Sequence, residues 1–361
     1  MTVSPDLAAG CRNMLINCAA LEAGDRVLIV QEDAALGWYD TEMAGAVAEM
    51  ARDLGASVTT LVVQGPEVEA EALRVDEASA DHDCIIYLAR LGDMSRFEAS
   101  TDGKTRVMSY ARNARMLASR YGTTEHQAFL DLKEAINDVL LGAERIAVTC
   151  PLGTDLSGNV GENVREDSTD VSVRRFPMGV PQAVLAQNFS GRVALARYLT
   201  PTGSQPYEPA ALAIGEPVFA LVENGRIAGF DGDAETIEKV RAHYKFVSDK
   251  FSIDPDAIHS WHAGIHPACA YEGDAARDPD HWSNTVFTNP RFLHLHTCGA
   301  YPPGEICWMV LDHTVEVDGV NLWERGRLLT DTFYGIAGCL EKWPVLKDLF
   351  AAPSDRIGIA A

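Results

Sequence analysis

The chain has 361 residues, 47% hydrophobic and 23% charged, and its 30 Lys and Arg stand against 52 Asp and Glu for a formal net charge of -22. At ~150 residues per domain there is room for about two domains, each able to bury a core. So acidic a chain, with no basic block, suits neither nucleic acid nor an anionic membrane surface, because neutralising phosphates takes clustered Lys and Arg; the expected partner is a small-molecule substrate.

Met1-Thr2-Val3-Ser4-Pro5-Asp6 lacks a basic n-region, and Arg12 and Asn13 interrupt the apolar residues that follow, so no secretory signal is expected. No apolar run reaches the ~18 residues of a spanning helix, and a cytoplasmic location is expected. Residues 26–31 (RVLIVQ) read as a strand. Residues 41–54 repeat Met43, Ala46, Val47, Met50, Ala51 and Leu54 at helical spacing and stop at Gly55, a natural C-cap. Residues 57–63, 84–89, 105–110 and 145–150 read as further strands, and 125–141 as a helix with Phe129, Leu132, Ile136, Leu140 and Leu141 on one face. Strands alternating with helices give an α/β N-terminal domain, residues 1–150, with a mostly parallel sheet.

The first strand runs into Gln31-Glu32-Asp33 without a G-x-G-x-x-G or G-x-x-x-x-G-K-[ST] loop, so no phosphate cradle is expected. The glycine-rich stretch 153–161 has the wrong spacing and no Lys, and reads as a turn connecting domains. Beyond about residue 190 the pattern turns to β. Residues 192–199 and 217–223 read as strands, and Asn224-Gly225-Arg226 as a hairpin turn into 227–230. A helix over 234–251 carries Ile237, Val240, Tyr244, Val247 and Phe251 as a stripe. His243 beside it, like His82 and His126 earlier, reads as a solvated histidine. The second half, residues 151–361, is thus expected to be a β-rich α+β domain that binds metal and carries the catalytic groups.

That expectation comes from the histidines. Seven of ten (His259, His262, His266, His281, His294, His296, His313) fall within residues 259–313, where an even spread would leave about one or two; neutral imidazole is the commonest transition-metal ligand. Phe292-Leu293-His294-Leu295-His296-Thr297 alternates as a strand, so His294 and His296 share a face, ~7 Å apart at the Cα atoms, and can converge on one ion. His262-Ala263-Gly264-Ile265-His266-Pro267 spaces two histidines as a zincin helix does. Gly264 and Pro267 argue against a helix, so it reads as a loop in which Gly264 permits close backbone approach. His262 is the expected ligand, and His266 a ligand, an acid/base group or a residue pinning the loop. Glu305 opens the apolar stretch 306–311, where desolvation or a metal would act on its carboxylate, and Asp312-His313 closes it as an oriented imidazole or a polar turn.

Eight scattered cysteines with no C-x-x-C pair are expected to be reduced and packed, Cys298 included. No G-x-S-x-G elbow, no E-x-x-H pair and no evident cysteine nucleophile is present.

Across the opening helix with residues 25–29, the strand and turn at 145–153, the hairpin at 224–231 and the H-x-G at His262–Gly264, the chain resembles the aminopeptidase T (leucyl aminopeptidase) superfamily. Within it, the layout is similar to the iron(II) ring-cleaving dioxygenases of dihydroxypyridines. The resemblance implies that a histidine of the H-x-G loop and an H-x-D pair on a later strand hold iron. These positions fall on His262, His294 and His296, where histidine replaces the family's aspartate. Two histidines and a carboxylate suit oxygen-activating iron, whereas three histidines also suit zinc. Glu305 resembles the metal-binding glutamate of the aminopeptidase branch. The resemblance therefore implies a ring-opening dioxygenase with Fe(II), alternatively Zn(II) or Mn(II), and a homo-oligomer. In that reading His266 or His313 moves protons, while Trp261 and Tyr301 are in place to stack on the ring but are more often packing residues and stay outside the catalytic set. The alternatives are a metal-dependent aminopeptidase or amidase with Glu305 as general base, and a non-catalytic metal-binding protein.

Overall fold

The computed structural model describes residues 4–94, 96–97, 102–161, 171–301 and 303–359. Two compact units divide the chain: Met1–Leu130 with Val171–Gly179 and Ala268–Ala270, and Asp131–Asp170 with Val180–Pro267 and Tyr271–Ala361.

In the first unit β1 (Arg26–Glu32), β2 (Ser57–Val63), β3 (Cys84–Leu88), β4 (Thr105–Ser109) and β7 (Arg174–Phe176) form one sheet in the order β2-β1-β3-β4-β7, every pairing parallel. Val27–Val30 of β1 and all of β3 are buried, as a parallel sheet covered on both faces requires. The helix Thr41–Asp53 starts where the Asp40 carboxylate accepts from the Met43 N–H (2.7 Å) and ends before Gly55, whose φ of +91° suits a residue without a Cβ. Its Met43, Ala46, Val47 and Ala51 pack into a core with Met14, Leu15, Val27, Ile29, Ile86, Leu117 and Phe176.

At the carboxyl edge of this sheet, between β1 and β3, a ligand crevice would be expected in an open α/β sheet. An ion cluster fills it. Glu32, with no exposed surface, accepts from the Arg90 backbone N–H (2.8 Å) and Nε–H (2.8 Å). Arg90 also reaches Glu67 (2.6 Å) and lies 4.4 Å over the Trp38 ring.

The second unit is built on a twelve-stranded sheet. Its strands are β5 (Arg145–Thr149), β6 (Asp155–Asn159), β8 (Val184–Leu185), β9 (Phe189–Pro201), β10 (Leu212–Glu223), β11 (Arg226–Asp231), β12 (Ile258–Ala263), β13 (Phe292–Thr297), β14 (Ile306–Leu311), β15 (Thr314–Val317), β16 (Val320–Glu324) and β17 (Arg327–Leu328). The path is β17-β16-β15-β5-β6-β9-β14-β13-β12-β8, with β10 and β11 branching from β9, and every pairing is antiparallel.

Three expectations need correction. Residues 155–159 of the glycine-rich stretch form β6, hairpinned to β5, and do not serve as a connecting turn. Gly158 is there for packing, since a Cβ would stand 2.6 Å from the Phe189 ring. His243 is 6% exposed, covered by the Tyr207 ring at 6.0 Å, and His126 is 4% exposed beside Phe176. Neither is solvated.

All eight cysteines are free thiols, and all but Cys150 are buried. Among the described residues no helix is long and apolar enough to cross a membrane.

Candidate functional site

Three neighbouring strands, β12, β13 and β14, carry the site. Register pairs His262 with His294 and Ser260 with His296 across β12 and β13, and His294 with Met309 and His296 with Cys307 across β13 and β14. Leu293, Leu295, Trp261 and Trp308 occupy the opposite face and are buried, so the hydrophobic alternation fixes which way the imidazoles point. The H-x-H strand forms over the residues the alternation indicated. His262 belongs to the end of β12, not to a loop; the loop begins at Gly264.

The His262 imidazole lies beside both of the others. The His262 ring centre lies 4.9 Å from that of His296 and 5.7 Å from that of His294. An ion about 2.1 Å from an imidazole nitrogen lies about 3.2 Å from that ring's centre, so two imidazoles sharing it at roughly 90–110° have centres about 4.5–5.2 Å apart. His262 and His296 stand at that spacing, and His294 stands slightly beyond it. Among the described residues no group of three or more His, Cys, Asp or Glu side chains is arranged to hold an ion. The donor chemistry nonetheless fits a transition metal: imidazoles on rigid strands, two buried and His296 partly open, with Phe287 5.8 Å and Phe292 6.0 Å from His294 as an apolar wall. Burial, with a smaller push from His313, drives His294 down to about 3, leaving it in the neutral form that a ligand needs.

The other expected site residues fall around this trio. His313 is fully buried, pushed down to about 4 by burial, while the Val310 and Arg291 carbonyls and Asp312 pull the other way. The Asp312 carboxylate is taken by the Arg291 guanidinium (2.6 and 2.9 Å). His266 is fully buried, and its backbone N–H donates to the Thr288 carbonyl (2.8 Å). That approach depends on Gly264, where a Cβ would stand 2.2 Å from the Asn289 carbonyl oxygen. Glu305 has no exposed surface. Its carboxylate accepts from Ser204 Oγ (3.0 Å), Gln205 Nε2 (3.3 Å) and the Tyr301 hydroxyl, so both oxygens are engaged by neutral donors. Tyr301 is thereby committed to Glu305, and Trp261 is core, edge-on to Phe189 at 5.9 Å. Burial pushes the Cys298 thiol up to about 12, the mark of a packed cysteine.

Sequence reasoning counted His259 only as one of the clustered histidines and passed over Ser260. The Ser260 hydroxyl lies 2.9 Å from His259 Nδ1 and 3.2 Å from His296 Nδ1. Their presence in the histidine-rich window was the only signal; what joins them is a break in register.

Burial of His243, which has no part in the trio, gives a testable pH dependence. Burial lowers it from 6.5 to about 4. Between those values the unfolded chain binds a proton that the folded chain does not. Its contribution is whole above pH 6.5 and is lost as pH falls toward 4, by up to about 1.4 kcal/mol per pH unit. Urea unfolding at pH 7 and pH 5 should show a smaller difference in His243→Phe than in the parent; an equal difference would remove His243 from the acid response.

No family model and no curated protein matches the chain. Solved structures do. A 2,5-dihydroxypyridine dioxygenase from Pseudomonas putida KT2440 superposes with a TM-score of 0.62 at 14% identity, covering 89% of this chain and 96% of that one. AmpT from Thermus thermophilus superposes with a TM-score of 0.51 at 14% identity, covering 90% and 99%. The resemblance read from the sequence thus holds at the level of architecture: along nearly its whole length the chain has the fold shared by this dioxygenase and AmpT.

Proposed function

We propose that the protein is a mononuclear metalloenzyme, a non-haem iron(II) dioxygenase that opens a hydroxylated pyridine or related aromatic ring. The observation that carries the reading is that His262, His294 and His296 share one face of adjacent strands, with the His262 ring near both of the others. The fold shared with a dihydroxypyridine dioxygenase supports it by analogy. When bound, ferrous iron supplies positions at which a ring hydroxyl and dioxygen meet. His262, His294 and His296 would hold it through ring nitrogens. Phe287 and Phe292 limit water on the His294 side. His313, neutral near pH 7, is the buried base beside His294 and would take a proton at a ring nitrogen; His266 is the second candidate for that task.

An all-nitrogen donor set favours a second reading, a zinc hydrolase on the scaffold that AmpT also has. The general base then required, Glu305, has both oxygens engaged by Ser204, Gln205 and Tyr301, which counts against that role. Protein purified without oxygen decides between them. Near-stoichiometric iron, with oxygen uptake on 2,5-dihydroxypyridine or a catechol, upholds the dioxygenase. Zinc with cleavage of an aminoacyl amide moves the reading to the hydrolase, and failure to retain any metal sinks both.

A further inference from the structure

We infer that Ser260, backed by His259, is a positioning residue that fixes which nitrogen of His296 faces the histidine cluster. The inference rests on the metal-centre reading above and concerns how one of its ligands is aimed.

Ser260 stands opposite His296 in the ladder, with its hydroxyl 3.2 Å from His296 Nδ1. On its other side the same hydroxyl is 2.9 Å from His259 Nδ1. Ser260 is 1% exposed, so water does not compete freely for it. A hydroxyl has one hydrogen and a neutral imidazole has one N–H, so when the buried hydroxyl spends its hydrogen inside this three-member chain there are two polarities. In one, His296 Nδ1–H donates to Ser260 Oγ and the Ser260 hydroxyl donates to His259 Nδ1; His296 Nε2 is then the nitrogen without a hydrogen, and His259 carries its hydrogen on Nε2. In the other polarity His296 carries its hydrogen on Nε2 and has no lone pair to offer a metal. Nδ1 is taken in both. A metal at the cluster therefore selects the first arrangement, in which Ser260 holds the ring's orientation and tautomer together, as the outer partners of metal-bound histidines do.

A β-bulge puts His259 in reach. Ile258 pairs with Thr297 and Ser260 with His296, so His259 is the extra residue on β12. Bulges of this kind re-aim a side chain that a regular strand would send elsewhere. The His259 carbonyl is also fixed, accepting from the Ala186 N–H (2.9 Å).

The test is Co(II) binding to the otherwise intact metal-free chain, followed by affinity and by the visible ligand-field bands. Ser260→Ala should weaken Co(II) about 10- to 100-fold and shift the bands, while Ser260→Thr, which restores a hydroxyl, should return both toward the parent. His259→Phe should act in the same direction, more weakly. Unfolding midpoints of the metal-free variants should match the parent, separating aiming from folding. If His296→Ala loses Co(II) but Ser260→Ala matches the parent in affinity and spectrum, the inference is overturned and the metal centre stands. Equal weakening in Ser260→Ala and Ser260→Thr also overturns it. A parent chain that takes up no Co(II) overturns the metal-centre reading and this inference with it.

Discussion

His262→Ala should empty the site. Of the three imidazoles, His262 is the one whose ring lies close to both others, at 4.9 and 5.7 Å, and it is the only one of the three supplied by β12. Its loss takes away the closest donor pair and leaves His294 and His296 on a single strand. Metal affinity should drop at least about a hundredfold, more than for loss of an outer hydrogen-bonding partner, with oxygen uptake falling in parallel. Metal content per chain after gel filtration checks the first, and an oxygen electrode the second. The same measurements on His243→Phe should give parent values, since His243 packs on Tyr207. Metal content unchanged in His262→Ala would remove that residue from the site.

The largest expected effect on stability lies in the other unit. Glu32→Ala deletes a carboxylate with no exposed surface that accepts from both the backbone N–H and the guanidinium of Arg90. Removing one member of a buried ion pair leaves the other charge desolvated and typically costs 3–5 kcal/mol. Arg90 keeps Glu67, half-exposed, as a second partner, so about 3 kcal/mol is expected. Urea unfolding should show it, with metal binding by the second unit unaffected. A loss below about 1 kcal/mol would mean that Glu67 and solvent suffice for Arg90.

Strong local patterns were legible in the sequence. The runs at Ser57–Val63, Phe292–Thr297 and Ile306–Leu311 and the stripe along Ala234–Phe251 became elements with those bounds, because period and composition agree along each. What escaped depends on partners distant in the chain. His243 looks solvated from its own helix, and it is the Tyr207 ring that covers it. The glycines at 153–161 read as a linker because nothing local shows that Phe189 needs the space at Gly158. Glu305 was legible as a carboxylate at the edge of a core, but its engagement by Ser204 and Gln205 joins segments about a hundred residues apart. Of the trio, His294 and His296 follow from alternation alone, whereas the seating of His262 opposite His294 is set by strand register.

That register also carries a change of phase. Ile258 and Ser260 are two apart, as are residues that share a face in a regular strand, yet they oppose Thr297 and His296, which point to opposite sides of the sheet. The extra residue lets one short strand send Ile258 to one side and Ser260 with His262 to the other. Deleting His259 would therefore leave Ile258 and Ser260 consecutive opposite the consecutive Thr297 and His296, a regular ladder that keeps both on their present sides, whereas adding a further residue there would force either Ile258 or the Ser260–His262 pair onto the wrong side. Substitution at that position tests chemistry, and insertion tests parity.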